Sequence, residues 1–196
     1  PEKLACPPSH IYELLQKVPQ RMTRKEINSA LSAESAELLA PFFASHEEQE
    51  GYALRGVLLF GAAESARSRL CPELLDTGRL EEFGRLMKIS HDGDRVSRLD
   101  AFSNYKPLED ACTDDYLNRL MADLISQDPR RVMEAQLYSQ PGYYACSTPQ
   151  IDRMVDLAST VPGVIGAQIA GAGLGGCIMI LAHKDAVPLV RKKLVS

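Results

Sequence analysis

The sequence has no apolar run of the ~20 residues that a membrane-crossing helix needs, and no signal-peptide pattern. Both absences predict a protein with no membrane partner. It also lacks a basic cluster. Lys and Arg number 22 against 26 Asp and Glu, the formal net charge is −4, and Arg191-Lys192-Lys193 is too short a run to count. That balance predicts no nucleic-acid partner. The five cysteines, Cys6, Cys71, Cys112, Cys146 and Cys177, form no C-x-x-C pair and have no histidine at ligand spacing. Scattered and odd in number, they read as reduced cytoplasmic thiols and not as a disulfide frame or a zinc site. There is no internal repeat or low-complexity segment. No Ser/His/Asp, Cys/His or paired-carboxylate pattern stands out for nucleophilic or acid–base work.

What is present is ordinary in bulk and unusual at one place. At 196 residues, 45% hydrophobic and 24% charged, the chain can bury a core without metal or disulfide support. A start at Pro1 in place of Met predicts a piece of a longer protein. The unusual place is Ala170-Gly171-Ala172-Gly173-Leu174-Gly175-Gly176-Cys177, with four glycines in six residues. Gly171, Gly173 and Gly176 have G-x-G-x-x-G spacing, which in a dinucleotide fold opens a helix. Here the apolar run Ile178-Met179-Ile180-Leu181-Ala182 follows and predicts a buried strand beginning at Cys177. Val164 to Ala170 predicts a strand before it. Strand, glycine loop, strand excludes the dinucleotide reading. The surplus of glycine points to close approach of the loop backbone to a ligand phosphate or to another protein segment.

Helical spacing accounts for most of the remainder. Helices are expected near 9–18, over 23–31 behind the capping box Thr23 to Glu26, and after Ser35 as N-cap with a kink or break at Pro41. A long helix is expected over 47–70, ended by Pro72, and another over 77–90, capped by Asp76. Asp92-Gly93-Asp94 predicts a solvated turn, and His91 a helix C-terminal partner of the dipole. Helices over 113–126 and 129–138 precede a break at Gln140-Pro141-Gly142. Tyr143-Tyr144 reads as packing. Thr148 and Pro149 open a helix carrying Ile151, Met154, Val155 and Ala158. Asp185 caps the last helix. The class is helix-rich α+β, and because a lone hairpin is marginal, further strands must exist.

Pro162-Gly163-Val164 through Gly176-Cys177 resembles the third conserved motif of the GHMP sugar and metabolite kinases, and within them is most similar to galactokinases. The stretch Leu80 to Met87 followed by Ser90-His91 is similar to the galactokinase segment ending in an S-H pair. Tyr144, Ser147, Pro149 and Asp152 match the spacing of a third segment. The resemblance implies a GHMP kinase C-terminal domain, an antiparallel sheet related to ferredoxin-like folds and backed by helices, spanning 1–196 with a helical insertion at 92–141. It implies that Gly171, Ala172, Gly173, Leu174, Gly175 and Gly176 lie near the nucleotide phosphates. It places no catalytic or metal-binding residue in this stretch. ATP and Mg²⁺ would be held mainly by an N-terminal kinase domain, the chain's implied partner beside a small sugar substrate. The implied function is cytoplasmic phosphoryl transfer from ATP to a sugar hydroxyl in galactose metabolism, with this stretch inactive alone. The family's strand after the last helix is not seen. Gln168 stands where galactokinases have Arg, and Ala170 where they have Thr, which removes a charge and a hydroxyl. Those departures motivate two alternatives: a non-catalytic sugar or ATP sensor, or a kinase of another GHMP branch such as mevalonate or homoserine kinase.

Overall fold

The computed structural model describes residues 6–48, 51–100, 104–171 and 176–195. The elements in order are α1 (Pro8–Gln16), β1 (Arg21–Met22), α2 (Arg24–Ala30), α3 (Ala33–Ala44), β2 (Tyr52–Ala53), α4 (Leu54–Asp76) and α5 (Leu80–Asp94). Then come β3 (Ser97–Leu99), β4 (Tyr105–Pro107), α6 (Asp114–Leu124), α7 (Pro129–Glu134) and a 3-10 turn at Leu137–Ser139. The chain continues with α8 (Pro149–Ser159), β5 (Val164–Ile169), β6 (Ile178–Ala182), a 3-10 turn at Lys184–Ala186 and α9 (Val187–Val195). The strands form three antiparallel pairs, β1–β2, β3–β4 and β5–β6. Extra strands therefore exist, as expected, but among the described residues none extends the β5–β6 hairpin.

Several local signals act as expected. Thr23 and Glu26 form a reciprocal capping box on α2. Thr148 accepts from the Ile151 N–H, with Pro149 in the first turn of α8. Thr113 caps α6, and Asp128 caps α7. Other expectations fail for tertiary reasons. The long helix starts at Leu54 because Tyr52–Ala53 is drawn into pairing with Arg21–Met22. It runs through Pro72 to Asp76, which lets Leu74 become buried. Ser32, not Ser35, caps α3, and Pro41 sits inside that helix. Asp76 and Asp185 cap nothing; Arg79 precedes α5, and His183 precedes the turn before α9.

The largest correction is at 91–94. Asp92, Gly93 and Asp94 are the last turn of α5, not a solvated turn, and Gly93 and Asp94 are buried. A Cβ on Gly93 would lie 2.1 Å from the Pro141 carbonyl oxygen, so the glycine admits a crossing chain.

Two cores result. The larger joins Tyr12 and Leu15 of α1, Leu59 of α4, and Leu117 and Leu120 of α6, with Cys112 and Ala135. Thus the amphipathic faces within 92–141 bury against the chain's own N-terminal helices. Arg55 of α4 is buried at their junction and donates to Val18 O at 2.9 Å and Asp114 Oδ1 at 2.8 Å. The smaller core packs Val155 and Ala158 of α8 on Ala167 of β5, with Ile178, Ile180 and Leu194 around them. β6 is only half-buried, and Cys177 is exposed, because β6 is an outer strand with one face turned from α8.

Candidate functional site

Ala170 N–H donates to Cys177 O at 3.0 Å and closes the base of the loop. Gly171 and Gly176 have φ of +62° and +65°, a left-handed backbone that costs glycine little. A Cβ added at either would meet nothing within 4 Å. Within the described residues, then, the two ends of the loop are not packed on protein. Ala172, Gly173, Leu174 and Gly175 lie outside the described residues.

Gly171 borders a cleft of about 360 Å³ lined by Phe60, Glu64, Ser90, Asp94, Tyr144, Cys146, Gln168 and Ile169. Phe60 and Glu64 stand four apart on α4, and Ser90 and Asp94 four apart on α5, so each pair shares one helix face. Had α5 been read through Asp94, that spacing alone would have flagged Ser90 and Asp94 together. Tyr144 packs on Phe60 with ring centroids 5.1 Å apart and planes 13° from parallel, yet it remains 46% exposed along the cleft. Tyr143 is a packing residue, its hydroxyl donating to Leu108 O at 2.9 Å. Between Tyr144 and Cys146, Ala145 takes φ +53°, and its N–H and that of Tyr144 both donate to Gly93 O. This strained turn sets both neighbouring side chains against the cleft.

The electrostatics of the cleft are acidic. Burial pushes the Asp94 carboxyl up to about 6. The Cys146 thiol donates to Asp94 Oδ1 at 3.2 Å, and burial followed by that bond pushes it up to about 12. It is therefore a thiol at neutral pH and no nucleophile. Among the described residues neither Lys nor Arg lines the cleft. Arg67 is close in sequence to Glu64, but it is buried and spends itself on Glu64 and the carbonyls of Tyr138 and Gln140. Gln168 of β5 is part of the lining.

His91 and Asp152 form a second polar cluster behind the cleft. Asp152 is fully buried. Its Oδ2 accepts from the N–H of Val96 and Ser97 and the Ser97 hydroxyl, at 3.1, 2.8 and 2.9 Å. Its Oδ1 accepts from Ser147 Oγ at 2.7 Å. The Ser147–Asp152 spacing read from the sequence is thus a buried hydrogen bond. His91 is only 1% exposed. Burial, with Arg95 nearby, lowers its pKa to about 4, so the ring is neutral and cannot serve the helix dipole as a cation.

Comparison with known proteins decides what this hairpin is. Residues 120–196 match the family model described as GHMP kinases C terminal. That stretch is a GHMP kinase C-terminal domain. The GHMP match begins inside α6 and takes in α8, the hairpin and the glycine loop. Relatives of this GHMP domain include the galactokinase of Haemophilus influenzae, 44% identical over 63 residues, 32% of this chain and 16% of that protein. The Bos taurus galactokinase is 37% identical over 60 residues, 31% of this chain and 15% of its own length. The human galactokinase is 42% identical over 45 residues, 23% and 12% of the two chains. The matched stretches span about a sixth or less of these relatives. Among the described residues no helix is long and apolar enough to cross a membrane.

The described residues do not by themselves fit Mg²⁺ and ATP. No three His, Cys, Asp or Glu side chains among them cluster as metal ligands. Among the described residues the cleft lining holds two carboxylates, Glu64 and Asp94, and neither Lys nor Arg.

Proposed function

We propose that the chain is the C-terminal part of an ATP-dependent sugar kinase of the galactokinase type, acting in the cytoplasm. In it the glycine loop forms one wall of the active-site cleft. Support comes chiefly from one coincidence. The GHMP match covers the loop, and the loop's Gly171 end borders a cleft, with open space where a Cβ would stand. Backbone N–H groups at a glycine-rich turn can meet phosphate oxygens without a side chain in the way. The cation that phosphoryl transfer needs has to come from outside the described residues, in keeping with an N-terminal domain that holds ATP and Mg²⁺. In this arrangement Gln168, Ser90 and Tyr144 border the reacting groups, and the closed hairpin keeps water from one side of them.

The test is a coupled ADP-release assay with a panel of sugars, run on the full-length protein and on residues 1–196 alone. The full-length protein is expected to turn over with a sugar, and the 196-residue chain to show none. Turnover by the short chain, or its absence in both, overturns the proposal. A second reading rests on Gln168 and on a lining that, among the described residues, holds neither Lys nor Arg. It is a sensor that binds sugar or ATP without turnover, and it is read in the same samples by equilibrium binding. If turnover is seen with mevalonate or homoserine and with no sugar, another GHMP branch is the answer.

A further inference from the structure

Among the described residues β5 is paired on one side only. Ala170 N–H points at β6, where it donates to Cys177 O. Side alternation then turns the Ile169 N–H outward, to an edge that no strand among the described residues covers. A buried N–H left unpaired there would lose its hydrogen bond to water with nothing in return. α5 lies along this edge so closely that a Cβ on Gly84 would stand 2.4 Å from Ile165 O. Two turns further along α5 the contact becomes a hydrogen bond: Ile169 N–H donates to His91 Nδ1 at 3.3 Å.

We propose that His91 is a positioning residue for the glycine loop: by accepting the Ile169 N–H it fixes where the chain leaves β5, two residues before Gly171. The inference rests on the kinase reading for what the loop does, and on geometry alone for what His91 does.

The tautomer follows from the bond. Nδ1 accepts, so it carries a lone pair, and the neutral ring bears its proton on Nε2. Nε2 makes no hydrogen bond within the protein, and Asp152 Oδ1 lies 3.6 Å from it. That carboxylate cannot move closer without loosening its bonds to Ser147, Ser97 and Val96. Its field favours the Nε2–H tautomer, which leaves Nδ1 free to accept. The histidine is kept from donating at the wrong nitrogen, and it takes no part in chemistry, being sealed from the cleft. Other residues of the same stretch of α5 border the cleft. Ser90 and Asp94 line the cleft while His91, between them, holds the strand. A single turn of α5 therefore ties the wall of the cleft to the base of the loop. Together with the Ala170–Cys177 bond, it makes two anchors for a segment whose glycines supply no side-chain packing of their own.

The test uses nitrogen-15 NMR of the 196-residue chain, with kinetics of the full-length protein as a second arm. In wild type the His91 ring is expected to show protonated Nε2 and bare Nδ1, and the Ile169 amide to resist hydrogen exchange. H91N keeps an acceptor oxygen near the Nδ1 position, so Ile169 protection and the Gly171 and Gly176 amide signals should stay close to wild type. H91L fills the site without an acceptor. Ile169 should lose protection and the two glycine signals should move. In the full-length protein H91L should raise KM for ATP about tenfold, the weight of one hydrogen bond at a charged ligand, with kcat changed less. H91N should restore it. A wild-type ring protonated on Nδ1 overturns the proposal, as do glycine signals indifferent to H91L. Should H91L fail to fold, the wild-type tautomer and H91N decide. If the full-length protein shows no turnover, the kinase reading fails, while the NMR arm still judges His91.

Discussion

The α1–α4–α6 core and the α5–β5–α8 seam hold the same chain together by opposite means. The first is filled by large side chains: Tyr12, Leu59 and Leu117 are fully buried and meet as volumes. The second is built from small residues and polar contacts. Gly84 lies against Gly166 and Ile165, and His91 and Asp152 hold backbone N–H groups. A core of volumes loses stability by degrees when an atom is removed. A seam of backbone on backbone has no slack in either direction. The glycine loop hangs from the second kind, so its placement is governed by hydrogen bonds and close approach more than by hydrophobic bulk.

Substitutions sharpen this contrast, and their effects should fall in a clear order. Gly84→Val puts side-chain atoms where Ile165 O already sits and should cost more than about 5 kcal/mol, the range in which single changes abolish folding. Circular dichroism and urea melts would check it, and a near-native midpoint would show that the seam can open. Asp152→Ala strands two backbone N–H groups and the Ser97 and Ser147 hydroxyls. A loss of about 4 kcal/mol is expected from charge-assisted bonds of this number. Leu117→Ala in the large core should lose about 3 kcal/mol, with the hairpin's hydrogen-exchange protection left in place. Equal damage to both regions would mean that they are a single cooperative core.

The seam also carries a balanced pH response. His91 falls from 6.5 to about 4, so its contribution is complete above the higher value and is lost as pH drops through that window. Asp94 rises from 3.8 to about 6, so its contribution is complete at low pH and is lost as pH climbs through the same range. Between about pH 4 and 6 the two oppose each other. Stability should rise with pH in D94N and fall with pH in H91N, with wild type between them; parallel curves would refute the pairing. The smallest effect is a gain. Gly61 lies inside α4 with nothing near its missing Cβ, so Gly61→Ala should stabilise by about 0.5–1 kcal/mol.

Legibility in the sequence followed the range of the interaction. Thr23 with Glu26, and Thr148 with Pro149, act within one helical turn, and both could be read from spacing. The hairpin could be read because two apolar runs flank the glycines, and the motif order exposed the GHMP relationship. His91 was misread because its partner is 78 residues away in the chain. Asp92-Gly93-Asp94 was misread because a local turn signal was overruled by burial against Phe60 and Pro141. Pro72 was overruled in the same way, by the burial of Leu74. The site itself was half legible. Gly171, Gln168, Ser90 and Tyr144 fell in stretches marked by the motifs, while Phe60, Glu64, Asp94 and Cys146 join them only when three separate helical and extended segments are brought together.

The Tyr12 hydroxyl finds its acceptor, Ala135 O, at 2.7 Å across 123 residues of chain. During synthesis the first helix leaves the ribosome well before the segment that covers it. At 5–20 residues per second the wait is roughly 6–25 s. Through that interval Tyr12 and Leu15 have no Leu117 or Leu120 to bury them. The nascent chain therefore leaves the apolar side of α1 without its α6 cover for many seconds, and a holding chaperone acting on α1 in that interval should raise the yield of folded protein.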